Sequence, residues 1–385
     1  MFSPAETLDE ESRFHAREKG AFLVDRMPRR LVARAGLERD VMSVMVETVN
    51  GLYCPAGDFY IDPWRSVRKA VVTHAHSDHA RAGCESYLAA KSGDAILRMR
   101  LGAQSNIDFL SYGCQVKIGD ATVSLHPAGH MTGSAQVRVE VKGRVTVVTG
   151  DYKLQPDPTC EAFEPVKCDT FITESTFGLP IYSWHDTDAM FSEINRWWTD
   201  NQAQRITSVL LGYSVGKAQR LLASIDSTIG PIYGHGAIVN ACEAYRRCGI
   251  ALPNVQSVTE AKASGEWHNA LIIAPPSVQG SAWLRRFGKI STGMASGWMR
   301  VRGIRRRRSV DRGFVISDHV DWNDLFTAIQ WSEASDVWVT HGYTQQVVQM
   351  LVSQGRSARV IRTEFTGDDP SVEEDGFQDA TAETS

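Results

Sequence analysis

Three things are scarce in this 385-residue chain: closely paired cysteines, long apolar runs, and an excess of charge of one sign. The seven cysteines, Cys54, Cys84, Cys114, Cys160, Cys168, Cys242 and Cys248, are odd in number, scattered, and never spaced as C-x-x-C. That excludes a Cys-based zinc finger and leaves His and carboxylates to hold any metal. The thiols read as reduced and mostly buried. No run approaches the roughly 20 apolar residues that span a bilayer, so no membrane segment is expected. The formal charge of −4 excludes a globally basic nucleic-acid binder, and any such function must rest on local charge and site chemistry. The first residues carry mixed charges instead of a basic stretch followed by an apolar one, so a secretory signal is not expected and the cytoplasm is. The apolar and charged fractions, 43% and 22%, match an ordinary globular protein, and the length exceeds a single small module.

Composition shifts divide the chain. Residues 1–40 are charge-rich, carry Arg29 and Arg30, and are expected to be a partly helical or mobile extension ahead of a first strand at 41–49. Residues 367–385 concentrate Asp368, Asp369, Glu373, Glu374, Asp375, Asp379 and Glu383 among small residues, a pattern of disorder. Between them, short β-rich runs each end at polar residues: 70–73 before His74, 145–149 before Asp151, 170–173 before Glu174, 314–317 before His319 and 337–340 before His341. In layered α/β proteins the ends of buried strands gather such residues into one crevice. From residue 186 to about 308 helices alternate with strands (helices at 189–200, 216–227 and 238–248; strands at 208–211, 232–233 and 271–274). That alternation predicts a second α/β unit with its own parallel sheet, interrupting the first. No repeat of 20 to 50 residues is present.

Thr73-His-Ala-His-Ser-Asp-His79 puts four possible ligands in six positions directly after a strand. Imidazole and carboxylate donors suit zinc and manganese. His74 and His76 project the same way if the extended backbone continues, and Asp78 and His79 can turn toward a second ion. His130 lies between glycines in Pro127-Ala-Gly-His-Met-Thr-Gly-Ser134, which lets the backbone turn sharply and bring the ring inward. Taken singly, His130 reads as a loop histidine and Asp151 as a turn residue. Together they gain meaning, because a carboxylate can bridge two cations and a neutral imidazole cannot. His341 ends a strand in the same way and could complete the second ion's ligands.

The pattern His-x-His-x-Asp-His resembles the metallo-β-lactamase superfamily. The resemblance implies an αββα sandwich in which His74, His76 and His130 hold one ion, Asp78, His79 and His341 the other, and Asp151 bridges them. Asp62 in Tyr60-Ile-Asp-Pro63 matches an aspartate that orients the ligand loop; a simple turn before Pro63 is the other reading. Glu174 in Thr173-Glu-Ser-Thr176, His319 in Ser317-Asp-His-Val-Asp321, His341, and Ile290-Ser-Thr-Gly-Met-Ala-Ser-Gly297 resemble the further motifs of the β-CASP nuclease branch. That branch carries an inserted α/β domain. The resemblance spans residues 48–365 and implies sandwich halves at 41–184 and 313–366 with the insertion at 185–312; the extension at 1–40, which departs from the branch's usual early start, and the disordered tail at 367–385 rest on composition. Catalysis falls by the same resemblance to His319 as general acid, held by Glu174, with Asp78 at the ions; a neighbouring carboxylate favours imidazolium near neutral pH.

Within the branch, several segments resemble the bacterial ligase-associated DNA-damage-response exonucleases: Gly51-Leu-Tyr-Cys-Pro-Ala-Gly57, Tyr60-Ile-Asp-Pro-Trp64, Gly150-Asp-Tyr-Lys153, Gly212-Tyr-Ser-Val-Gly-Lys-Ala-Gln219 and Ser296-Gly-Trp-Met-Arg-Val-Arg302. This implies two divalent ions, Zn2+ first and Mn2+ second, DNA as substrate with RNA as the alternative, and an ATP-dependent DNA ligase and a helicase as partners. Arg300, Arg302, Arg305, Arg306, Arg307 and Arg308 crowd one stretch together with Arg285, Arg286, Lys289 and Arg312, and could line a phosphate track or form a solvated face. Ser214, Gly216 and Lys217 stand where a helix begins and could receive phosphate, or simply cap the helix. A thioesterase of the glyoxalase type fits the ligands but leaves the insertion and the arginines unexplained. A scaffold without activity would have lost ligands, and every ligand position here is filled.

Overall fold

The computed structural model describes residues 43–184, 186–261 and 267–364. The expected extension at 1–40 and acidic tail at 367–385 lie outside the described residues. All three sheets of the fold belong to one compact unit beginning at Val44.

Alternating apolar residues build the first two sheets. Along Ala121–Pro127 the period of two sends Ala121, Val123 and Leu125 to one face, and the neighbouring Ala135–Val141 does the same with Ala135, Val137 and Val139. The first sheet has six strands in chain order: Val46–Thr48, Gly51–Cys54, Phe59–Ile61, Lys69–Val71, Ser86–Ala90 and Ile107–Leu110. It opens as antiparallel hairpins and turns parallel from Phe59–Ile61 onward. The second sheet runs Ser357–Val360, Asp336–Gly342, Thr170–Ser175, Arg144–Val148, Ala135–Val141, Ala121–Pro127, Gln115–Ile118. Its first four strands are parallel and the rest antiparallel.

Phe59, Ile61 and Val71 of the first sheet share one core with Val123, Val137, Val139 and Ile172 of the second. Each such buried side chain contributes about 1.5–3 kcal/mol. The other face of the first sheet packs Ala70, Tyr87 and Ala89 against Ile96 and Leu97 of the helix Asp94–Leu101 and Ala241 and Tyr245 of the helix Gly236–Arg247. The other face of the second sheet packs Phe171, Val337 and Val339 against the helices Trp322–Trp331 and Thr344–Ser353. The layers therefore run helix, sheet, sheet, helix, in a mixed α/β fold.

The third sheet, ordered Gln256–Ser257, Ile232–Gly234, Leu271–Ala274, Thr207–Leu211, Ile290–Ala295, Arg312–Phe314, is parallel throughout. Its central strands are covered on both faces, which accounts for unbroken apolar runs such as Leu271-Ile-Ile-Ala274. The chain leaves the second sheet after Thr170–Ser175, builds this third sheet, and returns at Asp336–Gly342 to pair with the strand it left, Thr170 opposite Asp336. Polar residues at the ends of these strands thus meet although the third sheet lies between them in sequence.

Several expectations need correction. The strand expected at 314–317 ends at Phe314, because the Ser317 hydroxyl accepts from the His319 N–H and draws the backbone out of the ladder. The first strand shortens to Val46–Thr48, closed by Asn50 N–H donating to Thr48 Oγ1 and by Gly51 at φ +114°. All seven cysteines are free, but only Cys54 and Cys242 are buried; Cys114 is exposed because it closes a surface turn on Ser111. No helix among the described residues is long and apolar enough to cross a membrane.

Candidate metal centre

Asp62 organises the histidine segment. Thr73 donates its N–H to Asp62 Oδ1 (2.8 Å) and its hydroxyl to Oδ2 (2.5 Å), and His79 Nδ1 lies 2.7 Å from Oδ2. Asp62 itself sits at φ +45°, a costly backbone for a non-glycine residue and one that recurs at functional positions. With Nδ1 held there, His79 presents Nε2 to Asp151 Oδ2 (3.4 Å) and Asp78 Oδ2 (3.5 Å).

Three more imidazoles converge beside it. His76 donates Nε2–H to the Val215 carbonyl (3.1 Å), and His130 donates Nδ1–H to the Asp318 carbonyl (2.7 Å). Their remaining nitrogens are left as lone pairs. His76 Nδ1 then lies 3.1 Å from His74 Nε2 and 3.2 Å from His130 Nε2, while Asp151 Oδ2 is 3.4 Å from His74 Nε2. Lone pairs this close repel unless a cation lies among them. His74, His76, His130 and Asp151 each offer a donor atom within 4.8 Å of the others, a donor set that fits a divalent metal. Glycine shapes the approach: Gly129, at φ +75°, passes so close to the Lys153 carbonyl that a Cβ there would collide with it.

Protonation follows the same geometry. Burial, reinforced by the positive field of His79, holds His74 well below the usual histidine range. Burial and His76 do the same to His130. Burial also opposes charge on Asp151, but His79, His319 and His74 outweigh it and hold the carboxyl well below its usual range. His79 is the converse: burial opposes its charge, and Asp151, Asp78 and Asp62 together raise it well above the usual range. Neutral imidazoles and an ionised carboxylate are the forms that bind metal, and a cation would displace the proton that the three carboxylates draw onto His79.

Glu174 and His319 stand next to this group. Asp151, Glu174 and His319 also offer donor atoms within 4.8 Å of one another, and the His319 ring lies 5.0 Å from that of His130. Glu174, buried, accepts from Tyr152 N–H and Thr176 N–H (each 3.2 Å) and meets His319 Nδ1 at 2.9 Å. Trp184 Nε1–H donates to the His319 carbonyl (2.9 Å), fixing the backbone from the other side.

His341 is set slightly apart. Glu174 pairs with Thr340 and Ser175 with Gly342, so His341 is the extra residue of a β-bulge, at φ +51°. Its ring lies 5.7 Å from that of His79, and its Nε2 meets Thr363 Oγ1 at 3.1 Å. Burial, with His79 nearby, lowers its pKa. Asp62, Asp78, His79, Glu174 and His341 line one open cleft.

Among the expected phosphate contacts, Arg302, Arg305, Arg306 and Arg307 are exposed on the short helix Arg302–Arg307, which buries only Ile304. Arg300 and Arg308 are half-buried, and Arg300 Nε–H donates to the Ile181 carbonyl (3.2 Å). Among the described residues no hydrogen bond or ion pair joins the exposed four to the His and Asp group. Lys217 requires correction: it is buried, donates to the Ile316 carbonyl (3.0 Å) and pairs with Asp318 Oδ2 (2.9 Å), so it does not face phosphate. Ser214 and Gly216 are buried with it, and Gly216 N–H is capped by Gln219 Oε1 (2.8 Å). Sequence reasoning missed the Val215 and Asp318 carbonyls, whose roles are carried by backbone and leave no residue-type signal. Asp318 and Lys153 stand inside motifs whose neighbouring residues carry the stronger signal.

No family model matches the chain. It is 31% identical over 318 residues to a protein of Opitutus terrae named "Probable DNA ligase", a match covering 82% of this chain and 31% of that one. It is 26% identical over 159 residues to cleavage and polyadenylation specificity factor subunit 3 of Dictyostelium discoideum (38% of this chain, 20% of that). It is 27% identical over 161 residues to an RNase J-like protein of Methanocaldococcus jannaschii (37% of this chain, 36% of that). The chain thus spans about a third or less of the length of most of these relatives. A solved protein of unknown function from Enterococcus faecalis shares the fold with a TM-score of 0.51 at 12% identity, covering 78% of this chain and 80% of that one. With the His and Asp cluster at the strand ends, the relatives support the metallo-β-lactamase superfamily for this chain.

Proposed function

We propose that this chain is a metal-dependent phosphodiesterase of the β-CASP branch that hydrolyses DNA, acting as an exonuclease in repair. The observation that carries the reading is the meeting of two groups: ring nitrogens of His74, His76 and His130 around Asp151, and the Glu174–His319 pair within reach of the same carboxylate. In this reading His74, His76 and His130 hold one ion, Asp78, His79 and His341 a second, and Asp151 contributes to both. When bound, two divalent ions, Zn2+ or Mn2+, supply Lewis acidity to a phosphodiester and its attacking water. The protein's own contribution is proton delivery. Glu174 holds His319 at Nδ1, and the proton for the departing 3′ oxygen is assigned to the other ring nitrogen, Nε2.

DNA is favoured by the segments that resemble ligase-associated exonucleases and by the relative named as a probable DNA ligase, and the same resemblance makes a DNA ligase and a helicase the proposed partners. The second reading is RNA cleavage, favoured by relatives with RNA-processing names. End-labelled single-stranded DNA, overhanged duplex and RNA, digested with defined metals and with chelator, separate the two. DNA is expected to be degraded faster, from one end, and only with metal; faster RNA cleavage under every metal would reject the first reading.

The arginines of this stretch, exposed Arg305, Arg306 and Arg307 and half-buried Arg308, supply a further expectation. Replacing Arg305, Arg306, Arg307 and Arg308 together by Ala should weaken DNA binding and flatten its salt dependence, since each phosphate no longer neutralised takes about 0.7–0.9 of a unit off the logarithmic salt slope. Turnover of bound substrate should change less. Binding and slope both at the unsubstituted values would make this helix a solvated face only.

A further inference from the structure

Behind the imidazoles lies a buried cluster of five charges that the proposed chemistry does not use. Lys153 Nζ pairs with Asp157 Oδ2 (2.8 Å), Arg220 Nε faces the same oxygen (3.6 Å), and Arg220 Nη1 and Lys217 Nζ pair with Asp318 Oδ1 (3.0 Å) and Oδ2 (2.9 Å). Each of the five side chains is at most 8% exposed. Burying ions costs several kcal/mol apiece, and well-packed apolar residues often stabilise as much, so stability alone is a weak reason for such a cluster.

What the cluster does locally is occupy carbonyls. Lys153 donates to the carbonyls of Gly129 (2.5 Å) and His130 (3.1 Å). Lys217 and Arg220 donate to those of Ile316 (3.0 Å) and Ser317 (2.6 Å). The next carbonyl, that of Asp318, is the one that meets His130 Nδ1–H. Lys217 and Arg220 belong to the helix Lys217–Ser224, and the Val215 carbonyl just before that helix accepts from His76. One helix end therefore governs two imidazoles, one through the backbone ahead of it and one through Asp318.

We infer that Lys217, Arg220 and Asp318 are positioning residues, through which the third-sheet unit aims the metal-binding nitrogens of His76 and His130. The inference rests on the reading that these imidazoles hold an ion. A carbonyl behind a ligating histidine fixes its tautomer and direction, and loss of such a partner typically costs 10- to 100-fold in metal affinity.

Co2+ is a suitable probe, because its visible spectrum reports ligand geometry without any turnover. Lys217→Met and Asp318→Asn should each bind Co2+ about 10- to 100-fold more weakly, with an altered spectrum. The combined variant Lys217→Met/Asp318→Asn removes a matched pair, so its thermal stability should recover relative to either single change, while Co2+ affinity stays reduced. A purely structural cluster predicts that both recover together, and that result overturns the inference. The unsubstituted protein offers a measurement that needs no variant to fold: His130 Nδ1–H should give a downfield, slowly exchanging imidazole proton resonance, and rapid exchange counts against its anchorage. Failure of the site reading looks different, since His76→Ala and His130→Ala would then leave Co2+ binding unchanged.

Discussion

Replacing Asp151 by Ala is expected to abolish cleavage and to lower metal content below two ions per chain. The carboxylate is 6% exposed, and its Oδ2 stands 3.4 Å from His74 Nε2, 3.4 Å from His79 Nε2 and 3.9 Å from His130 Nε2. It is the shared neighbour of both proposed ion positions, so its removal weakens both at once. The loss should exceed the roughly 10- to 100-fold that follows when a group merely supporting a ligand is removed. The fold should survive, because Asp151 belongs to none of the apolar clusters that hold the sheets together. Metal analysis beside a chain-length assay on end-labelled DNA decides it. Full occupancy with ordinary activity would take Asp151 out of the site.

His319→Ala and His341→Ala should fail in different ways. His319, held at Nδ1 by Glu174, is assigned to protonating the leaving oxygen, so its removal should leave metal and DNA binding intact and slow the reaction by about 10²- to 10⁴-fold. His341, held out of the strand register by a bulge, is assigned to the second ion, so its removal should lose metal. A phosphorothiolate substrate distinguishes them, because a sulfur leaving group departs without a proton. It should restore His319→Ala toward the unsubstituted rate and leave His341→Ala and Asp151→Ala impaired. His319 lies close enough to Asp151 to serve as a ligand itself, so metal loss in His319→Ala would reassign it to that role. No rescue despite intact metals and rate-limiting chemistry would remove the acid role.

The parts of the site legible in the sequence are those written in residue types at short range. Thr73 to His79 carries its ligand spacing within one turn of chain, and glycines 129 and 150 announce backbone that must turn beside His130 and Asp151. Strand 271–274 and the helix near 238–248 are equally plain, since period and composition are local properties. Lys217 misleads because a lysine at a helix start looks the same in sequence whether it faces solvent or a buried Asp318. The thiols mislead similarly: Cys114 is as apolar as Cys54, and only a surface turn exposes it.

By itself, then, the sequence determined which chemistry the chain can carry: oxygen and nitrogen donors for metal, a parallel-sheet unit inserted between them, and arginines gathered in one stretch. The tertiary structure alone decided which donor atoms meet. Parallel pairing of Thr170–Ser175 with Asp336–Gly342 brings Glu174 level with Thr340 across the whole third sheet, and a bulge turns His341 out of register. The carbonyls of Val215 and Asp318 select which nitrogen of His76 and His130 is free. Every residue but proline carries the same N–H and C=O, so a role held by the backbone is invisible until the chain is folded.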